Sequence, residues 1–366
     1  MNVIYKLFVR FFRHMDAYLL LLVFSLLGIG LVILYSASDQ SIGRVLYQVV
    51  NILVAFVVMW VFSLIPPQQL SRFALPIYIL GLVLLIAVAI HGEVRLGARR
   101  WLNLGVTSIQ PSEFMKIAVP MMLAWYLDKH QEALRLRDFA VASLFLIVPV
   151  IFILKQPDLG TALIILASGF FVLFLAGLGW RVIGGIFLAI AALSPVIWHH
   201  MHDYQRQRIL TLLHPAQYRL GAGYHIIQST IAMGSGGMFG QGWLHGTQAK
   251  LNFLPERSTD FIFAVFSEEF GFAGIMVLVL LFALLIARCM VISMNAPTLF
   301  TRLLSGSLTL TFFTYAFVNM AMVSGILPVV GIPLPLISYG GTSIVTLLLG
   351  FGILMSINLH RKLVQT

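Results

Sequence analysis

The stretch AYLLLLVFSLLGIGLVILY, from Ala17 to Tyr35, decides the class of fold because none of its 19 residues is charged. A helix needs about 20 mainly apolar residues to cross the hydrocarbon core of a bilayer. The run is too long for the hydrophobic core of a secretory signal peptide, and comparable runs follow it along the chain. It therefore predicts a first, uncleaved membrane span.

The composition extends this prediction to the whole chain. Of the 366 residues, 60% are hydrophobic and 10% are charged, and the mean hydropathy is +0.97. These values exclude a water-soluble domain and predict a polytopic membrane protein. The formal net charge of +10 suits anionic lipid headgroups or a phosphorylated substrate, and the chain has no nucleic-acid-binding motif. The single cysteine, Cys289, cannot form an internal disulfide.

Ten apolar runs are candidates for membrane spans. They lie at residues 17–36, 46–64, 73–90, 113–127, 139–154, 160–177, 181–198, 261–287, 303–325 and 340–358. No internal repeat or long polar linker divides the chain, so we expect a single all-α membrane domain over residues 1–366. With ten spans both termini share one side of the membrane, and the loops of that side hold about half of the lysines and arginines. The positive-inside rule therefore predicts that both termini are cytoplasmic.

The remaining cations concentrate in two loops that this topology places outside the cytoplasm. One is the large extracytoplasmic loop 199–259, between the seventh and eighth spans, and the other is the loop 91–112. The first carries Arg206, Arg208, Arg219, Lys250 and Arg257, and the second carries Arg95, Arg99 and Arg100. Membrane topology gains nothing from external cations, so they favour a binding site for an anionic substrate at the outer face.

Three further features of the large loop have structural interpretations. Apolar positions recur at helical spacing within 224–233, which predicts a short amphipathic helix at the interface. The glycine-rich run 234–242 lacks the Gly-Lys-Ser/Thr ending of a phosphate-binding loop, so turns and close packing are favoured. A histidine cluster also lacks the spacing of a known metal site, and histidines without a metal are favoured there. Its members are His199, His200 and His202, with Asp203.

Three acids mark the eighth span, where ionisable groups are costly and are candidates for function. Asp260 is predicted at its start, and Glu268 and Glu269 follow. At about 100° per residue, Glu268 lies roughly 80° around the helix from Asp260, and Glu269 roughly 180°. Asp260 and Glu268 can therefore line one cavity at different depths. The alternatives are a helix cap for Asp260 and hydrogen bonds between helices for the glutamates.

The fourth span places Glu113 and Lys116 on one helix face, three residues apart. They form either a structural ion pair or a phosphate ligand, Lys116, that Glu113 orients. Arg100 and Trp101 lie just upstream, where the indole can pack on a sugar or on lipid. Asp158, in the turn Gln-Pro-Asp-Leu-Gly, either caps the sixth span or contacts substrate.

The last span is entered through Leu-Pro-Leu-Ile-Ser-Tyr-Gly-Gly-Thr-Ser, residues 334–343, which includes Ser338. Irregular backbone at membrane depth is tolerated only where protein or a water-filled cavity surrounds it. We therefore expect a cavity that opens to the outer face between the fourth, eighth and tenth spans.

Together these motifs resemble the SEDS family (shape, elongation, division and sporulation proteins), and within it the branch that acts in cell elongation. The resemblance covers nearly the full chain. It rests on the segments Gly97–Trp101, Gln110–Glu113, Gln156–Gly160, His202–Arg208, Pro255–Phe263, Glu268–Gly271 and Pro333–Gly341.

The resemblance implies a multi-pass protein of the bacterial inner membrane, an inverting peptidoglycan glycosyltransferase with its active site on the periplasmic side. Such an enzyme polymerises lipid II into β-1,4-linked glycan strands and releases undecaprenyl pyrophosphate. The implied partner is a class B penicillin-binding protein, a PBP2-like transpeptidase, within the elongation machinery. The catalytic aspartate of the family maps onto Asp260 and a second functional acid onto Glu268.

For this reaction we expect Asp260 to be the base and four cations to be candidate ligands of the pyrophosphate: Arg100, Lys116, Arg208 and Arg257. The sequence requires no cofactor, although a divalent cation, Mg²⁺ or Mn²⁺, can share the phosphate-binding role. The alternative is a lipid II flippase or another transporter, which would also bury charges within spans. Transporters often contain inverted repeats, and none is found here. A structural scaffold would explain neither Asp260 nor the external cations.

Overall fold

The protein is mainly helical, and a computed structural model describes residues 15–95, 98–103, 108–131, 134–201, 203–218, 222–247 and 256–364. Within these ranges the helices are α1 (Ala17–Ala37), α2 (Ile42–Leu64), α3 (Pro67–His91), α4 (Pro111–Lys129), α5 (Leu136–Lys155), α6 (Leu159–Leu175), α7 (Trp180–His200), α8 (Asp203–Leu213), α9 (Ala222–Ser235), α10 (Ile262–Met294), α11 (Leu299–Val323) and α12 (Gly341–Val364). A short 3-10 turn, Pro215–Tyr218, lies between α8 and α9.

Each predicted span coincides with one helix, α1 to α7 or α10 to α12. Seven of the described helices are long and apolar enough to cross a membrane: α1, α2, α3, α5, α10, α11 and α12. The apolar parts of α6 and α7 are shorter, and α4 carries two acids and two lysines. The prediction of a helical, multi-pass membrane protein is therefore confirmed. The count of ten spans and the cytoplasmic location of both termini stay predictions.

A buried carboxylate ties three of the helices together at the end where the described chain begins. Asp16 caps α1, because its Oδ1 accepts a hydrogen bond of 3.0 Å from the backbone N–H of Leu19. The same side chain pairs with Arg288 of α10 and accepts a 3.0 Å hydrogen bond from Nδ2 of Asn358 of α12. The first, eighth and tenth predicted spans are thus fixed to one another.

The bundle is organised around α11, which has the largest buried share of the seven long apolar helices. It packs against α4, α6 and α10, while α2 packs along α12 and α1 packs along α10. In contrast, α7 exposes large apolar side chains along most of its length, Phe187 and Leu188 among them. That exposure is favourable only where the surrounding solvent is lipid.

The segment 91–112 contains a small antiparallel sheet that the helical prediction did not include. Its strands are β1 (Glu93–Arg95), β2 (Ala98–Asn103) and β3 (Ser108–Ile109), in the order β1-β2-β3. Nδ2 of Asn103 donates a 2.9 Å hydrogen bond to Oε1 of Glu93 across the sheet. Arg100 and Trp101 are adjacent on β2, so their side chains leave opposite faces of the strand.

The described residues of the large loop 199–259 include α8, the 3-10 turn and α9. The helix α9 confirms the short helix predicted at 224–233, although it begins two residues earlier and ends two residues later. It packs against α10, and Oγ of Ser229 donates a 2.9 Å hydrogen bond to the carbonyl of Val323 at the end of α11. The loop is therefore anchored on the helical bundle.

The helix α10 is interrupted at Gly271, whose φ of 64° is not helical. The loop segment 236–242 docks into this break through four backbone hydrogen bonds of 2.9 to 3.0 Å. The donors are the N–H groups of Gln241 and Gly242 from the loop and of Phe272 and Ala273 from the helix. The backbone groups that the break would leave unpaired are thus satisfied by the loop.

The glycines at this junction allow the two backbones to touch. A Cβ atom on Gly240 would collide with the carbonyl of Glu269, and one on Gly271 would collide with the N–H of Gly240. A Cβ on Gly236 would meet the carbonyl of Ser267 in the same way. Close packing is therefore the use of Gly236 and Gly240, as predicted for the glycine-rich run, and the close contact at Gly271 was not predicted.

We predict that Gly271→Ala destabilises the protein, because alanine is strained at a φ of 64° and its Cβ meets the docked loop. The expected loss in free energy of unfolding is about 2 kcal/mol or more. Thermal unfolding of the purified protein in detergent measures it. The control is Gly28→Ala in α1, where nothing lies within 4 Å of the added Cβ. Equal melting temperatures for the two variants would contradict this account of the break.

Candidate active site

Asp260 lies in a turn that precedes α10, and not on the helix itself. Residues 256–261 form consecutive turns, and the helix begins at Ile262. The carbonyl of Glu256 closes the turn by accepting hydrogen bonds from the backbone N–H groups of Thr259, at 3.0 Å, and Phe261, at 3.3 Å. The angular separation that the sequence predicted between Asp260 and Glu268 therefore does not apply, because it assumed a continuous helix.

The segment that enters α12 holds this turn in place. Oγ of Ser338 donates a 2.6 Å hydrogen bond to the carbonyl of Thr259 and accepts a 2.8 Å bond from the N–H of Leu334. The N–H of Tyr339 donates a 2.9 Å bond to the carbonyl of Ser258. Ser338, expected to support the site, thus contacts the backbone of the turn, one residue before Asp260.

Asn319 of α11 fixes the turn from the other side. Its Nδ2 donates one hydrogen bond of 2.9 Å to the carbonyl of Asp260 and another of 2.7 Å to the carbonyl of Ile332. The side chain is fully buried, so both amide protons are used away from bulk water. Asn319 thereby links the Asp260 turn to the segment that enters α12.

Two charged side chains act on the carboxyl of Asp260. The side chain of Glu256 is hydrogen-bonded to it, and Arg208 of α8 lies close enough to favour its charged form. Burial of the carboxyl raises the pKa of Asp260 most, the negative charge of Glu256 raises it further, and Arg208 lowers it, to about 7 overall. An acid with this pKa is a base of useful strength at neutral pH.

His225 of α9 packs against the last residue of the turn, Phe261. Its ring stacks on Phe261, with 5.7 Å between the ring centroids and 18° between the planes. Burial lowers the pKa of His225, and the nearby charge of Glu256 opposes that effect. The balance favours a neutral imidazole at neutral pH.

Arg257, one of the predicted phosphate ligands, forms an ion pair with Asp39 in the connection between α1 and α2. Its side chain is mostly buried. The turn is thereby tied to the first pair of helices as well as to α11 and α12. If Arg257 binds phosphate, its guanidinium has to contact the phosphate and Asp39 together.

Glu268 and Glu269 are both buried in α10 and hold other segments onto it. Oε1 of Glu268 accepts hydrogen bonds from the N–H and Oγ1 of Thr247, at 2.7 and 2.9 Å. Oγ of Ser36, at the end of α1, donates a hydrogen bond to Glu269. These are the contacts between segments that formed the alternative interpretation of the two glutamates. The predicted cavity shared by Asp260 and Glu268 stays a prediction.

Asp158 caps α6 and assembles a second polar cluster. Its Oδ1 accepts a 3.2 Å bond from the N–H of Thr161, and its Oδ2 accepts a 3.2 Å bond from Nε2 of Gln110. Arg100 places its Nε 3.8 Å from the same Oδ2, and its Nη2 donates a 2.8 Å bond to the carbonyl of Pro157. The cap that the sequence suggested is therefore formed, and it orients Arg100.

This cluster adjoins the Asp260 turn through glycine contacts. A Cβ on Gly160 would lie 2.7 Å from the carbonyl of Val330, and a Cβ on the next residue, Gly331, would lie 3.4 Å from Oδ2 of Asp260. The helix start that Asp158 caps and the Asp260 carboxyl thus both lie next to residues 330–331. Trp101 follows Arg100 on β2 and is partly exposed.

Lys116 and Glu113 form the ion pair that the sequence suggested, with Nζ 2.5 Å from Oε1. Nζ of Lys116 also lies 5.1 Å from the centre of the Tyr315 ring. The pair lines a small, mostly apolar cavity of about 40 Å³ between α4, α11 and α12. The cavity was predicted between the fourth, eighth and tenth spans. The cavity that holds Lys116 is lined by α11, the ninth span, in addition to α4 and α12, and the predicted cavity beside the eighth span stays a prediction.

The described residues contain no group of three His, Cys, Asp or Glu side chains suited to hold a metal ion. His199 and His200 are exposed at the end of α7, and Nδ1 of His200 is 2.9 Å from the carbonyl of Val196. His202 lies outside the described residues, as do Arg219, Lys250 and Gly97.

Sequence reasoning missed three residues of this site: Glu256, His225 and Asn319. Glu256 was quoted only as part of a motif, because a single sequence does not show that a glutamate takes a left-handed turn conformation. The contacts of His225 and Asn319 join segments that are distant along the chain. A single sequence does not reveal such contacts.

We predict that Asn319→Ala lowers the rate of the reaction that Asp260 supports, because the turn loses its bond to α11. We expect roughly a tenfold fall in kcat with a smaller change in thermal stability than a core cavity causes. The matched control on the same helix is Thr314→Val, since Thr314 bonds only to its own helix at Leu310. Similar kcat values for the two variants would contradict a positioning role for Asn319.

The chain is similar to proteins of known function over nearly its whole length. Residues 17–363 match the family model of FtsW, RodA and SpoVE, described as a cell cycle protein. The peptidoglycan glycosyltransferase MrdB of Escherichia coli (strain K12) is 49% identical over 353 residues, which cover 96% of this chain and 95% of MrdB. MrdB of Helicobacter pylori (strain ATCC 700392 / 26695) is 38% identical and covers 94% of this chain and 90% of its own length.

Solved structures agree with these relatives. One chain from the structure of a peptidoglycan synthase complex that coordinates polymerization and crosslinking matches with a TM-score of 0.83 and 34% identity. The match covers 95% of this chain and 98% of that one. The crystal structure of the rod shape determining protein RodA of Thermus thermophilus matches with a TM-score of 0.73 and 28% identity, over 95% of this chain and 97% of RodA.

Proposed function

The chain belongs to the FtsW, RodA and SpoVE family, and we propose that it polymerises lipid II with Asp260 as the general base. It is a peptidoglycan glycosyltransferase, like the MrdB proteins that it matches over nearly their full length. One observation carries the mechanistic proposal. The Asp260 carboxyl, with a pKa raised to about 7, lies beside Arg208 in a turn whose backbone is fixed from two sides.

The reaction needs a base and positive charge, and the site supplies both. The 4-hydroxyl of one sugar attacks the anomeric carbon of another, and the bond from that carbon to the pyrophosphate breaks. Inversion converts the α linkage into a β linkage, and the electron pair of the broken bond leaves with the pyrophosphate. Asp260 takes the proton of the attacking hydroxyl. A fixed backbone places that carboxyl with little loss of conformational entropy on reaction.

We assign the leaving pyrophosphate first to Arg208 and Arg100. Arg208 is the cation that acts on Asp260 itself, and Arg100 is oriented by Asp158 next to residues 330–331. Guanidinium groups bind phosphate oxygens through two parallel hydrogen bonds, which stabilises charge that develops as the bond breaks. Lys116 is held by Glu113 inside the apolar cavity, so we place it deeper, toward the lipid-linked part of the donor.

We propose that a divalent cation, where one takes part, is bound by the pyrophosphate of the substrate. Mg²⁺ and Mn²⁺ commonly bind substrate phosphates together with one or two protein ligands. The described residues offer no group of three acidic, histidine or cysteine side chains for such an ion. We therefore propose that any such ion arrives with the pyrophosphate. Polymerisation measured with and without a chelator tests this point.

The lipid tail and the partner complete the proposal. The polyprenyl chain would remain in the bilayer, and the apolar exposure of α7 is compatible with lipid on that side of the bundle. The likeness to a chain of a peptidoglycan synthase complex supports a crosslinking partner, which we propose to be a PBP2-like class B penicillin-binding protein. We also propose an inner-membrane location with the active site on the periplasmic side, which membership of this family supports.

We predict that Asp260→Asn, purified with its partner and given lipid II, loses polymerisation by about 10²-fold or more, because the amide cannot accept the proton. Gel analysis of the glycan products measures the rate. The control is Asp203→Asn, an exposed carboxylate on α8, which should retain the wild-type rate. A near-normal rate for Asp260→Asn would remove the general-base proposal. The assay needs no flipping of lipid II in detergent, so it also separates the enzyme from a transporter.

We predict that Arg208→Gln has two effects. The reaction should slow by about 10- to 100-fold, because charge on the leaving pyrophosphate loses a ligand. The acid limb of the rate–pH profile should also move to higher pH, because Arg208 lowers the pKa of Asp260. Arg206→Gln on the same helix is the matched control, since Arg206 bonds to the carbonyls of Trp198 and His199. Indistinguishable profiles for the two variants would exclude Arg208 from the site.

A further inference from the structure

Glu256 is an acid of the site that the proposed reaction has not yet used. Its side chain is exposed, whereas Asp260 is only partly exposed. Its φ of 52° is in the left-handed region, which a glutamate rarely adopts. That conformation lets its carbonyl close the turn while its carboxyl returns to Asp260, four residues later. The backbone of the turn therefore brings two carboxyl groups into one hydrogen bond.

A hydrogen bond between two carboxyls requires a proton. An ionised carboxylate only accepts hydrogen bonds, so two of them cannot bond directly, and one must be protonated to donate. Like charges at this separation resist ionising together, and the pair loses its protons in two separate steps. Burial favours the neutral form of Asp260, and exposure favours the charged form of Glu256.

The hydrogen-bond donors that α11 and the segment before α12 supply to this turn do not bond to either carboxyl of the pair. Arg208 of α8 faces Asp260, and His225 of α9 faces Glu256. Burial of His225 lowers its pKa, so its imidazole is neutral at neutral pH. Arg257 of the same turn is paired with Asp39. From α11 and the segment that enters α12, the turn receives the amide of Asn319, the hydroxyl of Ser338 and the N–H of Tyr339. These three donors bond to backbone carbonyls of the turn and not to either carboxyl.

We infer that Glu256 is a positioning residue of the glycosyl transfer, which takes the proton of the acceptor hydroxyl from Asp260 through a hydrogen bond between the two carboxyls and passes it to water. The inference rests on the proposed role of Asp260 as the base. It adds a residue that acts through Asp260 and does not touch the reacting atoms.

One turnover returns the carboxyl pair to the charge at which it starts. The working pair has lost its shared proton, so the carboxylate of Asp260 is free to accept. The O–H bond of the acceptor breaks as its electron pair forms the new glycosidic bond, and the proton binds to Asp260. That proton then forms the hydrogen bond to Glu256, and it leaves from the exposed carboxyl of Glu256 to water. The pair returns to its starting charge.

The charge of Glu256 makes Asp260 a stronger base, and Glu256→Gln tests this directly. Glutamine keeps a hydrogen bond to Asp260 but carries no charge. We expect the acid limb of the rate–pH profile to lie about one pH unit lower than in the wild type, because the like charge is gone. The plateau rate above the limb should fall by about tenfold, because the base is weaker. Impairment relative to the wild type should therefore shrink as the pH falls.

Glu256→Ala separates charge from position. It removes both the charge and the hydrogen bond, so its acid limb should shift as in Glu256→Gln while its plateau falls further. Asp203→Asn is again the matched control, with an unchanged profile. A Glu256→Gln variant that loses rate equally at every pH would show a merely structural role and would overturn the inference. An unchanged rate and limb would overturn it as well.

Failure of this inference is distinguishable from failure of the proposed function. If Asp260→Asn is inactive and Glu256→Gln keeps the wild-type acid limb, Asp260 remains the base and only the role of Glu256 is lost. If Asp260→Asn is active, the base itself is misassigned. Circular dichroism and melting temperature of each variant in detergent identify any that fail to fold, and Glu256→Asp then retains the carboxyl for the same measurement.

Discussion

The side-chain amide of Asn319 is the interaction on which the site depends. It is fully buried in α11 and bonds to the carbonyls of Asp260 and Ile332, which belong to segments before α10 and before α12. Neither segment is helical at these residues, so each has carbonyls without partners inside a helix. In a bilayer such groups must be satisfied by protein or water. One amide satisfies both carbonyls and sets the position of the carboxyl at the mouth of the bundle.

The second constraint is the break of α10 at Gly271, where the extracytoplasmic loop enters the helix. The four backbone bonds between 237–242 and the two halves of α10 connect the loop to the span that begins beside Asp260. The bonds of Glu268 to Thr247 and of Glu269 to Ser36 fix the same region to the loop and to α1. These buried acids therefore order the surroundings of the turn, and their carboxyl oxygens bond to other segments of the protein.

Much of this architecture is legible in the sequence, and the parts that are not have physical reasons. Long apolar runs identify the helices, and the glycine-rich run 234–242 indicates turns and close packing. The sheet at 93–109 was not predicted from the sequence, because strands of two to six residues are too short to show a periodic pattern. The turn at Glu256 escapes because a left-handed glutamate carries no signal of the kind that glycine gives. Asn319 and Tyr315 are two of many polar residues in α11, and only tertiary packing distinguishes them by bringing them to the site.

The central claim is that burial and a neighbouring acid make Asp260 a base near neutral pH. The infrared signal of a protonated carboxyl, taken as the difference between the wild type and Asp260→Asn and followed against pH, measures this directly. The account predicts a signal that disappears with a midpoint at about 7. A midpoint near the ordinary aspartate value of about 4 would contradict it.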